Sequence, residues 1–219
     1  CCQIARDICM KPEWKVGRVI ARPFTGTNKD NYVRSTNRHD YALDPDGTTD
    51  LDLLEEASID VIGVGKISDI FNTKGVKESH HITSTKDGME ITTSLLEKDF
   101  KGFCFVNLVD FDALYGHRRD PVGYHAALEE FDGLLDTFIK KMHSYDLLIV
   151  TADHGNDPTW TGSDHTREYV PLLVYNEKLA SVDLGTRSTF ADMGETVCDN
   201  FGIKGTGLGK SFLSELKLK

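Results

Sequence analysis

Two nearly continuous apolar runs in this chain each empty into a cluster of carboxylates and imidazoles. The first is GFCFVNLVDFDALYGH, Gly102 to His117, and the second is YDLLIVTADHGND, Tyr145 to Asp157. A short apolar run bounded by polar residues reads as a strand covered on both faces, the pattern of a parallel sheet. In open α/β sheets, ligands bind outside the carboxyl ends of the strands. The two runs therefore predict one sheet edge crowded with acidic and histidine side chains.

The surrounding segments fit that frame. TTDLDLLEEAS opens with a capping pattern and continues with helical spacing. IDVIGVG reads as a buried strand, KISDIF as the start of a short helix and ITTSLLEKDF as helical. GFCFVNLVDF fits a central parallel strand. DPVGYHAALEEFDGLLDTFIKKM reads as a long helix, with Asp120 as its cap and Pro121 in its first position. Its core stripe is Tyr124, Leu128, Phe131, Leu135, Phe138 and Met142. VPLLVYN reads as another strand and FADMGETVCDNFG as a helix ended by Gly202. Strands alternating with helices predict an α/β domain with a mainly parallel sheet flanked by helices.

The N-terminal part has a different texture. EWKVGRVIARPF, Glu13 to Phe24, alternates like a strand ended by Pro23, and TGTNKDNYVRSTNRHDYALDPDG reads as a long polar loop. A boundary near Tyr41–Pro45 divides residues 1–42 from residues 43–219. CCQIARDICM reads as the middle of an amphipathic helix and carries no initiating Met, so the parent chain is expected to extend upstream.

Charge narrows the partners. A formal net charge of −10 argues against nucleic acid and anionic membrane as general partners, because both select a basic face. No apolar run approaches the roughly 18 residues of a membrane helix, and the opening residues do not pattern as a signal peptide. The five cysteines are odd in number and form no C-x-x-C pair, which is usage for a reducing compartment such as the cytoplasm. Cys104, inside FCFVNLV, reads as a buried free thiol.

The chemistry lies in Asp112 and His117 after the first run, Asp153 and His154 after the second, and His165 beyond them. Carboxylate oxygen with imidazole nitrogen is a donor set for Mn²⁺, Zn²⁺ or Fe²⁺. Parallel neighbours lie about 5 Å apart, so the two strand-end clusters can converge. Five ligands exceed the three of an open single-metal site. They suit two metals about 4 Å apart, clamping a transferring phosphoryl group. Singly, Asp112 reads as a turn former and His117 as a solvated loop histidine; metal binding rests on their combination.

Other signals are weaker. GTGLGKS, Gly205 to Ser211, mimics a phosphate loop but has Lys204 where the first Gly belongs. His39, His80, His81, His125 and His143 read as loop or surface residues. Arg18 and Arg22 share one face of the first strand, which suits either solvent or a phosphate. Lys66 follows VIGVG at a strand end, placed like a ligand contact or an ordinary helix-start lysine.

TADHGNDPTWTGSDHTREYVPLLVY closely resembles the C-terminal signature of the bacterial phosphopentomutase family, within the alkaline phosphatase superfamily. VNLVDFDALYGHRRDPVGY and VGRVIARPF match the same family, and the resemblance covers essentially the whole chain. Related phosphoglycerate mutases share TADHGN but not its DPTWTGSDHTREY continuation. The resemblance implies an alkaline-phosphatase-like core with an inserted α+β cap, residues 1–42 being the last part of the cap and 43–219 the second part of the core. It carries the ligands of one manganese onto Asp112, His117 and His165, and of the other onto Asp153 and His154. Arg18 and Lys66 match positions that contact the sugar phosphate, with Ile20 beside them. The implied reaction interconverts α-D-ribose 1-phosphate and ribose 5-phosphate, and the 2-deoxy sugars, through a phosphothreonine. The family segment with an acidic metal ligand and the nucleophilic threonine has no counterpart in this sequence, and none of Thr151, Thr159, Thr161 and Thr166 matches that nucleophile, so the 219 residues are expected to be inactive alone. A two-metal phosphatase or phosphoglycerate mutase relative, and a silent metal-binding domain, stay open as alternatives. The sequence leaves the oligomeric state undetermined.

Overall fold

A computed structural model of the chain describes residues 1–11, 13–35 and 39–219. Helix α1, Cys2–Cys9, lies against a two-stranded antiparallel sheet of β1, Arg18–Ala21, and a later strand, His39–Ala42. Its Arg6 is buried, and the guanidinium donates to the carbonyls of Tyr41 at 3.2 Å and Val16 at 2.6 Å. One helix side chain thus satisfies main-chain acceptors on β4 and on the segment leading into β1. Between these strands lie β2, Phe24–Thr25, and β3, Val33–Arg34, paired antiparallel, which makes His39–Ala42 strand β4. The polar stretch expected to be a long loop therefore carries a hairpin and the partner of β1, and His39 sits on β4; residues 36–38 of that stretch lie outside the described ones. Its strands pair through main-chain hydrogen bonds, which polar side chains do not prevent, and which an apolar count passes over.

The next elements follow the sequence reading. Helix α2, Asp50–Glu56, is closed by a capping box: Thr49 Oγ1 accepts from the Asp52 amide at 3.2 Å, and Asp52 Oδ2 accepts from the Thr49 amide at 2.7 Å. Strand β5, Asp60–Gly65, leads into the short α3, Ile67–Ile70, which packs against β4. Strand β6, Glu78–His80, was hidden by its polar composition, and His80 lies on it half-buried. Helix α4, Thr85–Leu95, is capped by Ser84, and β7, Gly102–Asn107, completes a parallel sheet of order β6-β5-β7.

The middle strand of that sheet is β5, not β7. The burial explains the difference from expectation: Val61 packs with Leu51, Leu54 and Cys198 on one face, while Ile62 and Val64 pack with Leu95 on the other. Alternate side chains of a strand point to opposite faces, so β5 is clothed by helices on both sides. Strand β7 is only half-buried along its length.

After β7 come a π-helical turn, Phe111–Gly116, and α5, Pro121–Ile139, capped by Asp120 through the Gly123 amide at 2.9 Å. The α5 stripe holds except at Leu128, which is 46% exposed, while Ala127 beside it is buried. Strands β8, Leu148–Thr151, and β9, Leu172–Tyr175, pair antiparallel. Helix α6, Ala191–Asn200, is followed after its cap Phe201 by Gly202 with φ +71°. Among the described residues no helix is long and apolar enough to cross a membrane.

Candidate metal centre

The two acidic clusters meet, but through their loops. Among the described residues, no ladder of hydrogen bonds joins β7 to β8. At the end of β7, Asp110 Oδ2 accepts from the Thr85 amide at 2.6 Å, tying the loop to the start of α4. The π-helical turn then sets the geometry. Residues five apart on an α-helix point about 140° away from each other. The wider i→i+5 turn brings them together: Asp112 O accepts from the His117 amide at 2.9 Å, and Asp112 Oδ2 lies 3.4 Å from His117 Nε2. His165 arrives from the other loop, with Nε2 3.3 Å from Asp112 Oδ1. Asp112, His117 and His165 each offer a ligand atom, all within 4.8 Å of one another.

The ring nitrogens are assigned by their partners. His117 Nδ1 lies 2.5 Å from Ser163 O, and His154 Nδ1 lies 3.2 Å from Gly155 O. A carbonyl only accepts, so Nδ1 is the donor in each ring, and Nε2 is the nitrogen turned toward the carboxylates. Such a bond to a carbonyl is what commonly orients a metal-binding imidazole. His165 stacks with both other rings, with centroids 3.7 Å from His154 and 4.8 Å from His117. Asp153 is largely exposed, its Oδ1 3.8 Å from His154 Nε2.

The remaining residues singled out in the sequence lie elsewhere. Arg18 on β1 pairs with Asp40 at 3.3 Å, and Ile20 lies half-buried on the same strand. Lys66 precedes α3, the helix packed against β4, so its element reaches the sheet that carries Arg18 and Ile20. Asp157 is a turn residue: its Oδ1 accepts from the Thr159 amide and hydroxyl, both at 2.7 Å, and those bonds hold its carboxyl below the usual range. GTGLGKS spends its amides on the chain's own carboxylates. Its Thr206, Gly207 and Lys210 amides donate to Asp50, Glu195 and Asp192.

Two residues that the sequence reading passed over occupy the centre of the loop contact. Asn156 Nδ2 donates to Asp112 Oδ1 at 2.6 Å, and Arg119 Nη1 donates to Asn156 Oδ1 at 2.7 Å. The signal for Asn156 was its place directly after His154-Gly155; nothing local marks Arg119 in HRRD.

With one carboxylate and two imidazoles gathered at a loop junction, the donor set suits a borderline divalent cation. A model of the metalloenzyme superfamily matches residues 15–205, and the chain belongs to that superfamily. It is 55% identical over 220 residues to a phosphopentomutase of Clostridium perfringens, and 54% identical over 217 residues to one of Levilactobacillus brevis. Each alignment takes in 99% of this chain and 55% of the relative, so the chain spans about half the length of the curated relatives it matches. A solved phosphoglycerate mutase of Leishmania mexicana aligns with 77% of this chain and 39% of its own, at TM-score 0.59 and 16% identity. That likeness concerns the fold, an alkaline-phosphatase-like α/β core with a parallel sheet flanked by helices.

Proposed function

We propose that these residues supply the histidine-rich part of a phosphopentomutase centre, interconverting α-D-ribose 1-phosphate and ribose 5-phosphate and their 2-deoxy counterparts. The observation that carries this reading is the convergence of Asp112, His117 and His165 within 4.8 Å, with His154 stacked on His165. Similarity to named phosphopentomutases along essentially the whole chain supports the substrate class.

In this reading Asp112, His117 and His165 hold one Mn²⁺, and Asp153 and His154 contribute to a second. Bound there, the metals would neutralise charge that develops on a transferring phosphoryl group. His117 and His154 keep Nε2 free for the task because their Nδ1 protons are committed to main-chain carbonyls. Arg18 and Lys66, with Ile20 beside them, bind the sugar phosphate, the guanidinium and ammonium balancing its charge. Residues 1–42 act as part of a cap that shields the transferring group from water and residues 43–219 as part of the core, in a cytoplasmic enzyme of nucleoside catabolism. In this reading none of Thr151, Thr159, Thr161 and Thr166 carries the phosphoryl group, and the 219 residues alone are proposed to have negligible mutase activity.

The test uses the full-length gene product. It should convert ribose 1-phosphate far better than it hydrolyses phosphomonoesters or isomerises phosphoglycerate. Asp112→Ala and His154→Ala should each weaken Mn²⁺ binding, about 10-fold or more. Preference for phosphoglycerate would move the assignment to a related mutase. Unchanged Mn²⁺ binding in both variants would remove the metal reading.

A further inference from the structure

Asn156 stands between partners of opposite kind. Its amide nitrogen donates to Asp112 Oδ1 and its amide oxygen accepts from Arg119 Nη1. An ionised carboxylate only accepts and a guanidinium only donates, so both bonds require a group with each function at one place. At 9% exposure, Asn156 is shielded from the water that would otherwise compete for both bonds.

Arg119 extends the contact across the junction. It donates to Gly116 O at 3.0 Å on its own loop, and to Asp157 O at 2.8 Å, Gly162 O at 2.5 Å and Asp164 O at 2.5 Å on the other. These acceptors bracket the residues on either side of the metal group: Gly116 precedes His117, and Asp164 precedes His165. Arg119 has φ +54°, a conformation unfavourable for a residue with a β-carbon. Its hydrogen bonds offset that cost.

We infer that Asn156 is a positioning residue that sets the Asp112 carboxylate toward His117 and His165, and that Arg119 locks Asn156 for that task. The bond from Asn156 takes one lone pair of Oδ1 and halts rotation of the carboxylate, leaving its remaining lone pairs to the imidazole side. The inference rests on the metal reading of Asp112 and adds to it a residue that touches no metal.

The experiment is a cycle of Asn156→Leu, Asp112→Asn and the double variant in the full-length gene product. Mn²⁺ affinity is followed by electron paramagnetic resonance and calorimetry without substrate. Asn156→Leu nearly conserves volume and adds no charge. It should weaken Mn²⁺ binding about 10- to 100-fold when Asp112 is present, the usual range for groups that orient ligands. In the Asp112→Asn background it should change affinity less than about twofold, because coupled residues do not act independently. Equal weakening in both backgrounds would mean a general loosening of the loops and would overturn the inference. So would unchanged affinity in Asn156→Leu. Unchanged affinity in Asp112→Asn itself would overturn the metal reading as well, which separates the two failures.

Discussion

A β-carbon at Gly116 would lie 2.5 Å from the Asn156 amide nitrogen. The main chain at the end of the π-helical turn therefore presses directly on the side chain that binds Asp112. Backbone and side chain from opposite loops share one space, and glycine is what leaves it open.

Gly116→Ala is expected to push Asn156 aside and disturb the Asp112 carboxylate with it. Overpacking of this kind costs about 1–3 kcal/mol. Mn²⁺ titration should show weaker binding, and thermal unfolding of the metal-free protein should show a lower midpoint. A variant with both unchanged would mean that the loops separate easily and that the contact is not tight.

Phe212 offers a contrast far along the chain. It is fully buried, its amide donates to Thr196 Oγ1 at 3.0 Å, and the Arg187 guanidinium lies 5.5 Å from its ring centre. Phe212→Ala should cost about 3–5 kcal/mol through lost burial and a residual cavity. At about 2–4 °C per kcal/mol for a chain of this size, the melting midpoint falls by roughly 6–20 °C. Below that midpoint Mn²⁺ affinity should stay within about twofold of the parent. A fall of less than about 2 °C would show that α6 and the C-terminal segment are not held by this side chain.

Cys104 and Cys198 are both pushed up to about 12, first by burial, then by the charges of Glu78 and Asp50 respectively. An unfolded thiol titrates near 9.0, so above that pH the unfolded chain releases protons that the folded one retains. Their linkage is neutral below about pH 9, and stability falls as pH rises from there toward 12. At pH 8, iodoacetamide followed by peptide mass analysis should label Cys1 fastest, Cys104 on the half-buried β7 slowly, and spare Cys198. Fast labelling of Cys198 would contradict its complete burial.

Much of the core was legible because its signals are local. Thr49 and Asp52 cap α2 within four residues, Pro121 and Asp120 open α5, and the alternation through Val61, Ile62 and Val64 marks a strand covered on both faces. Strands β4 and β6 were not legible, because HDYA and ESH have no apolar pattern and exist as strands through main-chain pairing with β1 and β5. For the same reason β7 looked central: an apolar run reports burial, not which neighbour lies on each side.

The site divides along the same line. Residue type and spacing singled out Asp112, His117, Asp153, His154 and His165 as candidate ligands, because oxygen and imidazole donors crowd there after apolar strands. Which of them meet was decided in three dimensions. A π-helical turn turns Asp112 toward His117, a carbonyl at Ser163 assigns the His117 tautomer, and Asn156 with Arg119 ties the two loops together. Chemical identity is written residue by residue, whereas mutual orientation depends on hydrogen bonds between segments some 40 residues apart, which no local pattern records.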